Sequence, residues 1–179
     1  MKKTIIFLCL TLAFFLTACS NSDDDMIVQE SPVTADVEEF FAKAFNWQEL
    51  FLNQHKGFFS REEFSSLSNE HPVIIRSINN HEEFEQAYQG ELTLPEIDFS
   101  KNTLIIGLTR SLSSAETLGY TRLLEDHGNY DFQVVIYKDV NPTGVYSLGI
   151  MPIFFWKVYP KFQTSHLTAT QIFKEVNGN

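Results

Sequence analysis

Thr103-Leu104-Ile105-Ile106-Gly107-Leu108-Thr109-Arg110 is the stretch that decides the fold. Successive side chains of a strand point to opposite faces. Leu104, Ile105 and Ile106 in a row therefore make both faces apolar. A strand of that kind belongs in the middle of a protein, covered on two sides. The residues before it, Pro95 to Lys101, read as a loop in which Asp98 braces the turn by accepting backbone amides, as Asx turns do. Upstream, Val73 to Ile78 is short and β-branched, a strand. Asn80 and Glu83 then stand at the two ends of a capping box. Phe84, Ala87 and Tyr88 give the buried face of a short helix that Gly90 stops. Val37, Phe40, Phe41, Ala44 and Phe45 fall at i, i+3, i+4, i+7 and i+8, one helical stripe with Thr34 as N-cap. Between these helices Trp47 to Asn53 reads as a strand, His55-Lys56-Gly57 as a turn, and Phe58 to Asn69 as irregular.

Downstream the chain meanders. Gly119–Leu124, Tyr130–Lys138, Gly144–Ile150 and Ile153–Tyr159 are each strand-like. Turn chemistry joins them: Asp126-His127-Gly128-Asn129, then Asn141-Pro142-Thr143-Gly144, then Pro152. Pro152 has no amide to donate, so it starts a strand or sits on an edge. In Phe154-Phe155-Trp156-Lys157-Val158-Tyr159, alternation sends Phe154, Trp156 and Val158 to one face and Phe155, Lys157 and Tyr159 to the other. Either both sets are packed, one in the core and one under a helix, or part of the run is an exposed aromatic patch of the kind enriched at interfaces. The tail from Leu167 to Val176 suits a helix by its apolar stripe and a last strand by its context. The sum is an α+β fold, an antiparallel β-meander sheet packed with two short helices.

The N-terminus gives an address. Lys2 and Lys3 precede an apolar run from Ile5 to Leu16, too short to span a bilayer. Leu16-Thr17-Ala18-Cys19 resembles the bacterial lipobox. Residues 1–18 then form a cleaved signal peptide, and Cys19 carries the acyl chains. Two or three chains at roughly 0.8 kcal/mol per buried methylene anchor a protein without a transmembrane helix. Cys9 leaves with the signal, so the mature chain holds no disulfide. Ser20 favours the outer membrane over the inner. Ser22-Asp23-Asp24-Asp25 is similar to a surface-export signal, with a periplasm-facing acidic spacer as the other reading. Residues 19–33 are expected to be a flexible tether and residues 34–179 a single domain.

The formal net charge is −10, with no clustered cations, which disfavours nucleic acid. The five histidines, His55, His71, His81, His127 and His166, show no metal-ligand spacing. No nucleophile elbow, catalytic cysteine or phosphate loop is present. No cofactor or metal is expected. Scattered acids such as Asp98, Glu116, Glu125 and Asp126 are the only material for a hydrolase.

Several segments together resemble a known family. They are Val73-Ile74-Ile75-Arg76-Ser77, Glu83-Phe84, Ile97-Asp98-Phe99-Ser100-Lys101, Thr103-Leu104-Ile105-Ile106, Gly119-Tyr120, and Pro152 ahead of Val158-Tyr159-Pro160-Lys161. Over about residues 73–161 they are similar to the C-terminal domain family named after PrcB, the lipoprotein of an exported protease complex. Trp47–Phe51 and Gly57 resemble the segment that often precedes it. The resemblance implies an exported, non-enzymatic domain that binds or stabilises another exported protein, a protease among the candidates. Family members carry a Thr-Gly-Gly-Tyr-like loop; here only Gly119-Tyr120 remains of it, after Ser111 to Leu118. Partner contacts are expected from loops and the aromatic run: Ser113, Ser114, Gly119, Tyr120, Thr143, Gly144, Trp156 and Tyr159. Capture of a glycan or small molecule by Trp156 and Tyr159 is the alternative.

Overall fold

A computed structural model describes residues 26–46, 57–142 and 148–177. The strand expected over Trp47–Asn53, the signal peptide, Cys19, Thr143 and Gly144 lie outside those residues. In chain order the elements are β1 (Met26–Val28), α1 (Ala35–Ala44), α2 (Arg61–Ser66), β2 (Val73–Ile78), α3 (His81–Ala87), β3 (Asn102–Ser113), β4 (Glu116–Asp126), β5 (Asn129–Asp139), β6 (Leu148–Pro160) and β7 (Leu167–Val176). A 3-10 turn, Thr164–His166, precedes β7.

The strands form two sheets, one ordered β2-β3-β6 and the other β1-β4-β5-β7. The three-stranded sheet lies in the middle of the molecule. One of its faces presents Leu104, Ile106, Leu108, Trp156 and Val158 to Val37, Phe40, Phe41 and Phe84 of the helices. Its other face presents Ile105, Phe155 and Tyr159 to Leu123, Phe132, Val134 and Ile136 of the second sheet. Leu104 through Ile106 and Leu108 are fully buried. β3 is thus covered on both sides, as its composition requires. β6 shows the same alternation, and both of its apolar sets are packed.

A mixed α and β fold is as expected, but the antiparallel meander holds only in part. β3 and β4 are joined by just Ser114 and Ala115 yet belong to different sheets, so the chain turns from one layer to the other there. β5 is followed by β6 in the opposite sheet, and β7 then returns. Two reversals bring β7 back in the direction of β5, and these two pair in parallel. The tail is therefore a strand. Gly144–Ile150 and Ile153–Tyr159 do not stand apart: Leu148–Pro160 is one strand, with Pro152 opposite Arg110 on a sheet edge where its missing amide costs no ladder bond. The β4–β5 hairpin turns on His127 and Gly128, both at positive φ (49° and 83°), the two-residue turn that matches strand twist.

Helix signals were legible except at α2. Asn80 accepts from the Glu83 amide, 2.8 Å, while Glu83 reaches back to the Asn79 amide, 2.6 Å. α3 ends with Tyr88 as an extended C-cap rather than at Gly90. Residues read as irregular contain α2, started by a complete Ser60–Glu63 capping box. Of the expected flexible tether, residues 19–25 lie outside the described residues and Met26 to Val33 is packed instead. Met26–Val28 pairs with Leu123–Glu125, Ser31 donates its amide to the Val158 carbonyl at 2.8 Å, and Val28 and Val33 pack on the two cores. Three apolar residues inside an otherwise polar stretch found a strand edge to cover.

Asp98 accepts from the Ser100 amide (3.1 Å) and hydroxyl (2.5 Å) and pairs with Lys101 at 3.0 Å, an Asx turn leading into β3. The Ser100 hydroxyl, and after it Lys101, holds the Asp98 carboxyl below its ordinary value. A depressed folded value means the stabilisation is present above the unfolded value and is lost as pH falls through the folded one. Ser100→Ala is expected to move the Asp98 midpoint, followed by carboxyl NMR, up toward the ordinary carboxylate range. An unmoved midpoint would show that Ser100 is not the cause.

Candidate functional site

Two cavities bear on function. The larger, about 760 Å3, lies between β2, α2 and α3 and is lined by Phe59, Glu63, Arg76, Glu83, Gln86 and Gln89 among others. Its charged groups already hold the scaffold together. Arg76 donates to the Glu63 carboxylate and the Phe58 carbonyl and lies over the Phe59 ring, 4.9 Å from its centroid. Glu63 and Glu83 cap the helices. The groove's charged groups are thus bonded within the fold.

The second cavity, about 500 Å3, is a slot between the two sheets. One wall is Leu118 to Thr121 of β4, the other Phe154 to Val158 of β6, and Glu30, Ser31, Val33 and Glu38 close one end. Runs of consecutive residues on both walls show that strand edges, not strand faces, border it. β1 covers β4 only at Leu123–Glu125, and the bond from Ser31 engages β6 only at Val158. Among the described residues, no strand pairs with the edges of β4 and β6 beyond those points. Inside β4 a bulge places Gly119 as an extra residue between Leu118 and Tyr120. A Cβ on Gly119 would lie 2.8 Å from the Tyr137 ring, so glycine lets the two strands approach there.

Of the residues expected to contact partners, Gly119, Tyr120 and Trp156 meet at this slot. Gly119 and Tyr120 lie in a strand rather than a loop. The Tyr120 hydroxyl is 2.7 Å from Lys174 Nζ, whose charge and hydrogen bond hold its ionisation below the ordinary value. Ser113 ends β3, and its hydroxyl accepts the Ala115 amide at 3.3 Å; Ser114 is in the turn beside it. Trp156 is half-buried: it stacks on Phe41 at 4.3 Å against the helix-side core and also lines the slot. Tyr159 is fully buried between the sheets and cannot touch a partner. Alternation in β6 was read correctly: Phe154 and Trp156 pack half-buried against the helix-side core, and Phe155 and Tyr159 are buried between the sheets.

The sequence reading missed Leu118 and Thr121, together with Glu30 and Ser31 at the closed end. The signal available for the latter pair was Met26-Ile27-Val28. The acids considered for hydrolysis are tied into turns. Glu116 accepts the Leu112 amide at 2.6 Å, Glu125 accepts the Gly128 amide at 2.8 Å, and Asp126 pairs with His127, which raises the histidine's pKa. Among the described residues no group of three His, Cys, Asp or Glu is placed to hold a metal ion.

Two hydroxyls, those of Thr121 and Tyr159, are buried with no hydrogen-bond partner among the described residues. Burial, and after it the charge of Glu30, pushes the Tyr159 phenol up. A raised folded value means stability is intact below the unfolded phenol value and is lost as pH rises beyond it. Because the hydroxyl makes no bond, Tyr159→Phe is expected to leave stability within about 1 kcal/mol in urea titration, or to raise it. It should also remove the alkaline sensitivity. A loss of about 1–3 kcal/mol would reveal a partner for the hydroxyl.

No protein-family model matches the chain, and no curated protein or solved structure is significantly similar to it.

Proposed function

We propose that this chain is a lipid-anchored, non-catalytic protein-binding domain of a Gram-negative outer membrane, an accessory to another exported protein, with a protease as one candidate. The observation that carries the reading is the slot, where two sheets leave backbone edges open to a partner chain. The N-terminal sequence supports the anchor: Lys2 and Lys3, the apolar run to Leu16, and Cys19 behind Thr17-Ala18. The likeness of residues 73–161 to the PrcB-like family supports a partner that is a protein. The acidic run at Asp23–Asp25 favours the cell-surface face over the periplasmic one.

The anchor would hold the domain close. At roughly 3.5 Å per residue, the path from Cys19 to Met26 reaches at most about 25 Å. Met26 pairs with Glu125, beside the β4–β5 hairpin, so that end of the molecule would face the lipid. The slot's β4 wall, Leu118 to Thr121, lies beyond β1 along β4 and so would stand farther from the lipid than Met26.

Crosslinking in the native envelope followed by mass spectrometry tests the reading. One protein recovered reproducibly is the expected result; recovery of no specific protein would count against it. Cys19→Ser should release the chain from the membrane fraction or leave it unprocessed, and a correctly cleaved, membrane-bound variant would remove the anchor from the account.

A further inference from the structure

We propose that the slot between β4 and β6 binds its partner by strand addition: an extended peptide segment carrying Lys or Arg lies along the free edge of β4 from Leu118 to Thr121. This rests on the protein-binding reading and names the mode and the kind of segment.

Three observations support it. An open strand edge presents unpaired amides and carbonyls, and an extended chain satisfies them; recognition then comes from alternate side chains. Here two such edges, on different sheets, border one space. Next, the molecule already uses this mode at the closed end of the slot. β1 adds antiparallel to β4 at Leu123–Glu125, and three residues later Ser31 bonds to Val158 of β6. A bound segment would continue the row that β1 begins. Last, Thr121 lines the slot at 8 % exposure, and its hydroxyl is buried without a partner among the described residues. A buried hydroxyl is costly when unpaired, and an incoming backbone or polar side chain would supply the missing bond.

The lining also sets the occupant's chemistry. Leu118 is exposed at the mouth and Phe155 is buried deeper, so inward residues of the segment should be apolar or small. Glu30 and Glu38 stand against one ammonium, Lys157, which is bonded to Glu30 at 2.7 Å. The unmatched carboxylate charge favours a basic residue in the segment.

The test uses the mature chain with Cys19→Ser and a phage-displayed library of random dodecapeptides. Enriched peptides are expected to alternate apolar and polar residues, with at least one Lys or Arg. Binding one of them should slow amide exchange at least tenfold within 117–122 and 153–157. Leu118→Lys, an edge lysine of the kind that blocks strand addition, should weaken binding at least tenfold with an unchanged melting temperature. Leu92→Lys should leave binding as it was. Enrichment of no peptide, protection confined to the β2 edge, or protection of the same amides by self-association without peptide would each overturn the proposal. If envelope crosslinking finds a partner but the slot stays unprotected, the protein-binding reading survives and strand addition fails. If peptides protect the slot but the envelope yields no partner, the reverse holds.

Discussion

An aspartate in place of Ile105 or of Ile106 is expected to abolish folding. The two residues are adjacent and fully buried, yet they point into different cores, one between the sheets and one beneath the helices. Lys157 and Arg76 stand across the ladder from Ile105 and Ile106, but each is already paired, Lys157 with Glu30 and Arg76 with Glu63. An unpaired buried charge costs several kcal/mol even after relaxation, a large share of the about 5–15 kcal/mol that holds a domain together. The same change at Ile27, which is half exposed on the short β1, should cost little. Circular dichroism and urea titration of the three variants decide the matter. A folded Ile105→Asp with a normal Ile106→Asp defect would mean that only one face of β3 is covered, and the layered fold would be wrong.

The second large effect is expected at Phe41. Its ring is fully buried, stacks on Trp156 at 4.3 Å and meets Phe40 edge-on at 5.1 Å. It also stacks on Phe58 and Phe84, so it joins α1, the segment leading into α2, and α3 to β6. A ten-residue helix such as α1 has little stability of its own and depends on such packing. Phe41→Ala removes the contacts and leaves a cavity, at a cost of about 3–5 kcal/mol. In a Trp47→Phe background the remaining indole, Trp156, should also shift its fluorescence to the red as water reaches it. A loss below about 1 kcal/mol with unchanged fluorescence would place Phe41 outside the core.

What could be read from the sequence divides along physical lines. Local signals came through: the run Leu104–Ile106 marked a two-sided strand, the alternation in Phe154–Tyr159 assigned each side chain to the correct face, and Asn80, Glu83 and His127-Gly128 marked a cap and a turn. Pairing between strands did not come through, because nothing in a strand's own pattern names its neighbour. Ser114 and Ala115 look like an ordinary connection, whereas they carry the chain from one sheet to the other, and the parallel pairing of β7 follows from that crossing. Met26–Val28 was lost in a polar stretch because composition averages hide three residues that meet an open edge. The Ser60–Glu63 capping box was present and overlooked. Trp156 and Tyr159 were left open between core and partner surface because large aromatics suit both equally, and only the packing of two further layers places them.

Leu118, at the mouth of the slot, and Leu92, in the loop after α3, have the same 37 % exposure. A photo-crosslinking amino acid placed at each in turn, in the lipidated protein in living cells, therefore compares two equally accessible sites. Capture of one discrete protein from position 118 and none from position 92 is the expected result. The same product from both positions, or no product from position 118, would contradict a domain that binds its partner through the open edges of its sheets.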